Sequence, residues 1–294
     1  MDYLKLLGYN FLFSFTIITV TFVLGWLLYN HVVLRKICLK DSLFEKDNVA
    51  AWVEFIGAFI FPTLYLSAKA IEDSADIIWW KDLLICIGYG IAYILIFTVL
   101  RLSSNLIVNS LGHNDEHGKV NLNNEIYHQK NISAALFSVS LSVIFVSFVR
   151  FLDIMPGYFT TSVFKMLNVL IFTLVAFIAY SLLLRRKTTL SKEIFIDNNP
   201  AAGISLTGFI FAVEIMLTNA VALQVEFDLI ELAITSLIWV VLFGFLSVIF
   251  KWGFTKLIKV DIWKEVYEQN SIGAAIGQCA LYIGIANVII HFIK

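Results

Sequence analysis

The sequence has few charged residues and few cysteines for a chain of 294 residues. Only 15% of the residues are charged, whereas 60% are hydrophobic, and this balance excludes an ordinary soluble domain. Cys38, Cys86 and Cys279 show neither metal-ligand spacing nor a paired framework, so we interpret them as small hydrophobic side chains and one free thiol. The formal net charge is −1 and no basic patch with interleaved aromatics occurs, so no nucleic-acid partner is expected.

Catalytic motifs are absent from the sequence as well. It contains no His-Glu-x-x-His, Gly-x-Ser-x-Gly, P-loop or Cys-x-x-Cys segment, and no pair of carboxylates recurs at a useful spacing. We therefore expect no enzymatic activity, no catalytic residue, no cofactor and no metal. Residues 112–118 include two histidines and two acids, but their glycines and charge fit a flexible loop better than a metal site.

The apolar residues form eight segments that are each long enough to cross a membrane. They cover roughly residues 9–33, 48–70, 82–108, 131–152, 162–184, 199–222, 229–252 and 270–292, here called spans 1 to 8. A helix needs about 20 apolar residues to cross the hydrocarbon core, and the segments lack the alternation of barrel strands. The sequence therefore predicts an all-α integral membrane protein with eight transmembrane helices. Span 1 is too long for a signal peptide core and is interpreted as a retained helix.

Two sequence motifs occur once in each half of the chain. Residues 125–135 and 265–275 share Glu, Tyr, Gln, Ile and an Ala-Ala pair at an offset of 140. Residues 48–57 and 199–208 share Asn, Ala-Ala and Gly at an offset of 151. We interpret the chain as a duplicated four-helix unit, with repeats at 1–157 and 158–294.

The repeats and the basic residues together predict the orientation of the chain. Each repeat crosses the membrane an even number of times, so both face the same way, which predicts a pseudo-twofold axis along the membrane normal. The loops after spans 1, 3, 5 and 7, with the adjoining helix ends, hold 15 of the 21 Lys and Arg residues. Basic residues favour the cytoplasmic side, so both termini are expected outside the cytoplasm.

The even-numbered spans begin with related residues at the predicted cytoplasmic face. Asn48, Asn131, Asn199 and Asn270 stand at or near these starts, each followed closely by Ala-Ala. Asn is a favoured N-cap because its side chain accepts a bond from an otherwise unpaired amide. Capping is therefore our main interpretation. The alternative is a cytoplasmic vestibule in which four helix N-termini would attract an anion.

Small residues recur at helical spacing in the same four spans, and we assign them to helix packing. They are Ala50, Ala51, Gly57, Ala134, Ala135, Ala201, Ala202, Gly208, Gly273, Ala274, Gly277 and Gly284. Such stripes let helix backbones approach closely where lipid supplies no hydrophobic drive. We therefore expect spans 2, 4, 6 and 8 to form an inner ring, with the bulkier spans 1, 3, 5 and 7 outside.

Two acids lie inside predicted spans, Glu54 in span 2 and Glu214 in span 6. They are not repeat counterparts, since the 151 offset matches Glu54 with Ser205 and Glu214 with Thr63. Burying an ionisable group in lipid is costly, so both acids should face the bundle interior and have a polar neighbour on another helix. The candidate neighbours are Asn168, Asn219, Gln278, Asn287 and His291. Glu54, Glu214, Gln278, Asn287 and His291 form our candidate polar pathway, with interhelical hydrogen bonding as the alternative.

The repeated motifs resemble those of a known family. The starts Asp47-Asn48-Val49-Ala50-Ala51 and Asn199-Pro200-Ala201-Ala202, with the two Gln-x-x-Ile-x-Ala-Ala segments, look like the YjfL family. The family comprises bacterial inner-membrane proteins of unknown function with a four-helix unit that is sometimes duplicated. The resemblance covers nearly the whole chain, although Trp52-Val53-Glu54 departs from the small or aliphatic residues usual there. It implies an inner-membrane location and brings no activity or cofactor.

Two functions remain open from the sequence. The first is a channel or transporter for an ion or small solute, based on the duplicated unit and the two intramembrane acids. The second is a non-transporting structural or partner-binding membrane scaffold. A continuous polar path between the even-numbered spans would favour transport, and a core sealed by Ala and Phe would favour the scaffold. The lipid bilayer is the expected partner, and a homo-oligomer is left open.

The orientation can be tested with an impermeant thiol reagent. We expect a cysteine at Ser74 to react in intact cells and a cysteine at Ser191 to react only after the membrane is opened, because Ser191 lies among the basic loops. Labelling of the Ser191 variant alone in intact cells would reverse the assignment.

Overall fold

Nearly all residues described by the computed structural model are helical. The structure describes residues 2–72, 79–111, 113–114, 118–151, 159–185, 188–222 and 228–292. The α-helices are Asp2–Leu28, Val49–Trp52, Phe61–Glu72, Trp79–Leu111, Ile132–Arg150, Phe159–Leu184, Pro200–Ala222, Leu229–Ile258, Ile262–Tyr267 and Ile272–Phe292. The π-helical segments are Tyr29–Val33, Asp41–Glu45, Val53–Ile60, Asn124–His128 and Lys192–Ile196. Strands His113–Asn114 and Gly118–Lys119 pair antiparallel.

The predicted all-α membrane fold is confirmed by eight described helices that are long and apolar enough to span a bilayer. Spans 1 to 8 run over Phe11–Val33, Val49–Ala68, Trp80–Val108, Ile132–Arg150, Phe159–Leu184, Pro200–Ala222, Leu229–Ile258 and Ile272–Phe292. The largest difference from prediction is the end of span 7, which reaches Ile258 instead of residue 252. There Lys259 takes a left-handed conformation with φ 60° and ends the helix.

The chain divides into two compact units, residues 1–130 and residues 131–294. The predicted repeat boundary near residue 157 and the labelling position Ser74 both lie outside the described residues. In the first unit, the core contains Tyr29 of span 1 between two aromatic rings of span 2. The ring of Tyr29 lies 5.2 Å from that of Phe55 and 4.9 Å from that of Phe59, both in edge-on geometry, which is the favoured arrangement for aromatic pairs.

Span 6 forms the centre of the second unit, with spans 4 and 8 packed against it. It is buried over 78% of its most apolar stretch, against 33% or less for spans 1, 3, 5 and 7. Glycines allow this close approach. A Cβ added at Gly203 would lie 3.1 Å from the Ser133 Cα atom of span 4, and one added at Gly208 would lie 2.8 Å from the Cys279 Cα atom of span 8. The predicted packing role of Gly208 therefore has a direct structural basis.

Span 8 departs from the expected inner position. Only 33% of its most apolar stretch is buried, and a Cβ added at Gly273, Gly277 or Gly284 would meet no described atom within 4 Å. No helix of residues 131–294 packs on these three glycines, so the packing role assigned to them stays a prediction. The face toward span 6 carries Cys279 and the fully buried Ala275 and Ala286. Gly273 and Gly277 are each two residues from Ala275, and Gly284 is two residues from Ala286, so the glycines lie on the opposite side of the helix.

Substitution of Gly208 should test the contact between spans 6 and 8. We expect Gly208→Ala to destabilise the protein by about 1–3 kcal/mol, the usual cost of overpacking, because the new methyl group would meet the Cys279 backbone. Thermal unfolding of the purified protein in detergent would measure the loss. Gly244→Ala is the matched control, since a Cβ there meets nothing within 4 Å; equal loss in both variants would contradict the packing argument.

Candidate functional site

The even-numbered spans all begin with the same backbone geometry. The residue that precedes the N-cap has a positive φ in each case: 44° at Asp47, 58° at Lys130, 49° at Asn198 and 55° at Asn270. The following residue then caps the helix, because its side-chain oxygen accepts from the amide three residues on. Asn48, Asn131 and Asn199 accept from Ala51, Ala134 and Ala202 at 3.2, 2.9 and 3.1 Å.

The three capping asparagines also donate hydrogen bonds to backbone carbonyl groups outside their own helix. The Asn48 amide group donates to the Ile126 carbonyl oxygen at 2.8 Å, the Asn131 amide to that of Ile194 at 2.9 Å, and the Asn199 amide to that of Val266 at 3.0 Å. Each acceptor lies in the short helical turn before the next even-numbered span. All three asparagines are fully buried, so none of these side chains lines an open vestibule among the described residues.

The fourth start differs from the other three. Asn270 is exposed, and the capping side chain is Ser271, whose hydroxyl accepts from the Ala274 amide at 3.4 Å. This corrects the expectation for Asn270, because the aligned motifs place Ser271 opposite Asn131. A serine lacks the amide group that the asparagines use to reach a second carbonyl. The cap of span 8 therefore cannot donate the side-chain amide hydrogen bond that the caps of spans 2, 4 and 6 donate to a backbone carbonyl.

An ion pair is buried in the first unit. Glu54, in the π-helical segment of span 2, is fully buried and accepts a charge-assisted bond from the Arg101 Nε atom of span 3. The Arg101 Nη2 atom donates to the Asn123 Oδ1 atom at 2.7 Å, and the guanidinium interacts with the Tyr29 hydroxyl. These contacts offset part of the cost of removing both charges from water.

The sequence analysis missed Arg101, although a signal was present. Arg101 is the only Lys or Arg between Asp82 and Ile107 in span 3, and it was grouped with the basic end of the helix. An intramembrane base in the span next to an intramembrane acid is itself an indication of pairing. The partner of Glu54 therefore comes from the first unit and is not among the predicted candidates.

Two tyrosine pairs occupy corresponding positions in the two repeats. The Tyr29 and Tyr127 hydroxyls are 2.9 Å apart, and their counterparts Tyr180 and Tyr267 are also hydrogen-bonded. In the second unit Ser205, the counterpart of Glu54, bonds to Tyr180 at 3.0 Å. Burial raises the pKa values of Tyr127 and Tyr267, which lie outside the spans, well above the ordinary tyrosine value. These two hydroxyls are therefore neutral at physiological pH.

Glu214 is the second acid that lies inside a span, and no basic side chain among the described residues is hydrogen-bonded to it. It is 2% exposed, and its Oε1 atom accepts from the Thr173 hydroxyl of span 5 at 2.7 Å. The Ser147 hydroxyl of span 4 also interacts with this carboxyl group, although the Oε2 atom has no hydrogen-bond partner among the described residues. Glu214 thus differs from Glu54, which has a cationic partner.

The other predicted pathway residues do not converge on Glu214. The Gln278 amide donates to the Tyr282 hydroxyl at 2.7 Å, and Asn287 and His291 lie on exposed positions of span 8. The Ser236 hydroxyl donates to the Asn168 Oδ1 atom at 2.7 Å, while the Asn219 amide donates to the Ile215 carbonyl oxygen at 2.8 Å. Within the described residues, no continuous line of these side chains forms.

A cavity opens beside the tyrosine pair of the second unit, on the predicted cytoplasmic side. Its volume is about 220 Å³, and its lining includes Glu193, Asp197, Glu268, Trp263 and Tyr267. The carboxyl groups and aromatic faces are both suited to a cation. The same cavity includes Lys192, so one positive charge already belongs to its wall.

The eight apolar helices define a multi-pass membrane protein, and its two repeats are related to each other. The chain belongs to the family described as Domain of Unknown Function (DUF350), which matches it twice, over residues 3–149 and 154–293. The tandem match confirms the predicted duplication. No curated protein and no solved structure matches the chain.

The buried ion pair can be tested by a double-mutant cycle. Glu54→Gln and Arg101→Gln should each destabilise the protein by roughly 3–5 kcal/mol, because each leaves one buried charge unpaired. The double variant should lose less than the sum of the two single losses. Unfolding in detergent is the measurement, and additive losses would contradict coupling.

Lys192→Gln is the control for the general effect of removing a charged side chain. Lys192 and Asp197 are 4.0 Å apart, and their side chains are 56% and 42% exposed. An exposed pair of this kind contributes about 1 kcal/mol or less, so this variant should unfold close to the unmodified protein.

Proposed function

We propose that the protein transports protons or a small cation across the membrane, with Glu214 as the ion-binding group. The observation that carries this proposal is the burial of Glu214 in span 6, where its hydrogen-bond partners among the described residues are hydroxyl groups. A carboxylate in such surroundings either binds a proton or requires a cation. An intramembrane acid without a structural counter-charge is a candidate for ion movement.

The position of Glu214 also supports transport. It lies 15 residues along the chain from the capping Asn199, which corresponds to about 22 Å at 1.5 Å per residue. This places the carboxyl group past the middle of span 6. The hydroxyls of Thr173 and Ser147 come from spans 5 and 4, so three helices meet at the acid, and a change in their packing would change its access to water.

The Glu54–Arg101 pair has a different role in this proposal. Its two charges satisfy each other, so the pair fixes spans 2 and 3 and does not itself carry the ion. The counterpart position in the second unit is the neutral Ser205. The two halves of the chain therefore have different proposed roles. The first unit contains a charged structural cluster, and the second unit contains the acid that binds the ion.

The cavity near Tyr267 is the proposed cytoplasmic entrance. Glu193, Asp197 and Glu268 give it a negative excess over Lys192, which would concentrate cations at the opening. Tyr267 connects this wall to Tyr180 and Ser205 through hydroxyl bonds. A hydroxyl chain of this kind supports an entrance for protons more readily than for a bulky solute.

A non-transporting scaffold is the second candidate, and the packing of spans 4, 6 and 8 favours it. Span 6 meets its neighbours through Gly203 and Gly208, and Ala201, Ala202 and Ala212 are fully buried. This is the sealed, small-residue core that the sequence analysis associated with a scaffold. Transport through the second unit would then need a rearrangement of these contacts.

The setting of the protein is part of the proposal. We place it in the bacterial inner membrane, as resemblance to the YjfL family implies, with both termini outside the cytoplasm and the axis between repeats along the membrane normal. No catalytic step and no cofactor are assigned to it. The basic loops support this orientation.

Flux measurements in proteoliposomes would test the role of Glu214. A pH-sensitive dye would follow proton entry, and parallel assays would follow Na⁺ and K⁺. We expect Glu214→Gln to reduce flux of the transported ion at least tenfold, because the neutral amide can neither ionise nor release a proton. Glu214→Asp keeps the carboxyl group and should retain part of the flux.

The matched control is Glu231→Gln, which removes an exposed acid at the start of span 7 and should leave flux unchanged. Folded yield is compared by size-exclusion chromatography for all variants. Equal flux in the unmodified protein and Glu214→Gln, or no flux above protein-free liposomes with any of the ions, would reject the proposal and favour the scaffold.

A further inference from the structure

The two carboxyl oxygens of Glu214 have different surroundings. The Oε1 atom accepts from the Thr173 hydroxyl at 2.7 Å, whereas the Oε2 atom is buried and has no hydrogen-bond partner among the described residues. In an ionised carboxylate both oxygens would share the negative charge. A buried charge without a donor costs far more free energy than a neutral group in the same place. The unequal contacts therefore favour a carboxylic acid over a carboxylate.

A carboxylic acid has one oxygen of each kind, a carbonyl oxygen that accepts and a hydroxyl oxygen that donates. Because the Thr173 hydroxyl donates to Oε1, Oε1 has the role of the carbonyl oxygen and the proton belongs on Oε2. The Ser147 hydroxyl of span 4 interacts with the same carboxyl group, and a hydroxyl oxygen can accept that proton. The hydroxyl groups around Glu214 thus suit the neutral acid.

No basic side chain of the neighbouring helices bonds to Glu214 in place of a proton. Glu214 is the only charged residue of span 6, while Arg150 and Lys165 are the only charged residues of spans 4 and 5. Neither is hydrogen-bonded to the Glu214 carboxyl group, and no titratable side chain on the described residues of spans 7 and 8 is bonded to it either. The negative charge would therefore be left to the ion that binds there.

A metal cation at Glu214 would need further oxygen ligands from the backbone. Hard metal cations take several oxygen ligands, backbone carbonyl oxygens among them, and in transporters such carbonyl groups come from unwound stretches of helix. Spans 4, 5 and 6 are continuous α-helices over Ile132–Arg150, Phe159–Leu184 and Pro200–Ala222. Their carbonyl groups are directed along the helix to amides four residues on. These three spans therefore offer no unwound backbone to a metal cation beside Glu214.

Side chains near Glu214 do not replace the missing carbonyl groups. Thr218, one turn further along span 6, donates its hydroxyl to the Glu214 backbone carbonyl oxygen at 2.7 Å. The oxygens that interact with the carboxyl group are then the hydroxyls of Thr173 and Ser147. Two hydroxyls and one carboxyl group are a small ligand set for a metal cation. They are sufficient for a proton, which needs a single oxygen.

We propose that the ion bound at Glu214 is a proton, held on the Oε2 atom, and that Na⁺ and K⁺ do not bind there. This inference rests on the function proposed above for Glu214 and narrows its substrate to the proton. Thr173 is a positioning residue, because its hydroxyl keeps Oε1 in the carbonyl role and leaves the proton on the other oxygen.

Infrared difference spectroscopy of the full-length protein in lipid would test the proposal. The C=O stretch of a carboxylic acid is separate from the carboxylate bands and moves to lower wavenumber in D₂O. Subtraction of the Glu214→Gln spectrum from that of the unmodified protein at neutral pH should leave one such acid band, and Na⁺ or K⁺ should not change it. Glu231→Gln, which removes an exposed acid, is the matched control and should remove a carboxylate band only.

Thr173→Val tests the assignment of the two oxygens. Valine has the shape of threonine but cannot donate a hydrogen bond. The acid band should therefore remain and move to higher wavenumber, because a carbonyl group that loses a hydrogen bond has a stiffer C=O bond. Thr173→Ser keeps the hydroxyl and should leave the band in place. This comparison does not use Glu214→Gln, so it stands if that variant fails to fold.

The possible outcomes separate the bound proton from the proposed transport. A difference spectrum without an acid band, or an acid band that becomes a carboxylate band when Na⁺ or K⁺ is added, would overturn the proton assignment even if liposomes show ion flux. An unchanged wavenumber in Thr173→Val would overturn the assignment of the two oxygens. An acid band with all the expected properties, together with no proton flux in liposomes, would support the bound proton and reject transport.

Discussion

The absence of water from the bilayer interior is the constraint on which this structure depends. A polar group inside a span must find its partner within the protein, because an unpaired one costs several kcal/mol. Each capping asparagine makes two such bonds. Its side-chain oxygen accepts from an amide of its own helix, and its side-chain amide group donates to a carbonyl oxygen of another helical turn. The same constraint explains why Glu54 meets Arg101 and why the tyrosine hydroxyls occur in bonded pairs.

Close packing between helix backbones stabilises helix association in lipid, where the hydrophobic effect does not drive it. Span 6 is central because Gly203 and Gly208 let two helices approach it on different sides. The duplication does not give equivalent helices equivalent neighbours. Within residues 131–294, spans 4 and 8 carry equivalent sequences but pack on different sides of span 6, so they end with different surroundings. Repetition in sequence therefore produces similar surfaces without guaranteeing similar neighbours.

The spans, the duplication and three of the helix caps could be predicted because each depends on a short stretch of sequence. Apolar length predicts the spans, and the shared motifs predict the repeats. The direction of the glycine stripe in span 8 could not be predicted, because spacing shows which residues share a face and not what covers that face. The pairing of Glu54 with Arg101 joins residues 47 positions apart. Periodicity does not predict such a contact, and the indication was the intramembrane position of Arg101 in the neighbouring span. Asn270 was misassigned because Ser271 performs the same capping chemistry one residue later.

The buried ion pair also bears on how the chain enters the membrane during synthesis. An arginine at the centre of a lone inserting helix costs about 2.5–3.5 kcal/mol. Arg101 lies between the centre and the end of span 3 and carries part of this penalty, and Glu54 carries a related penalty in span 2. Because the two charges neutralise each other only when both helices are present, we expect spans 2 and 3 to leave the translocon together as a hairpin.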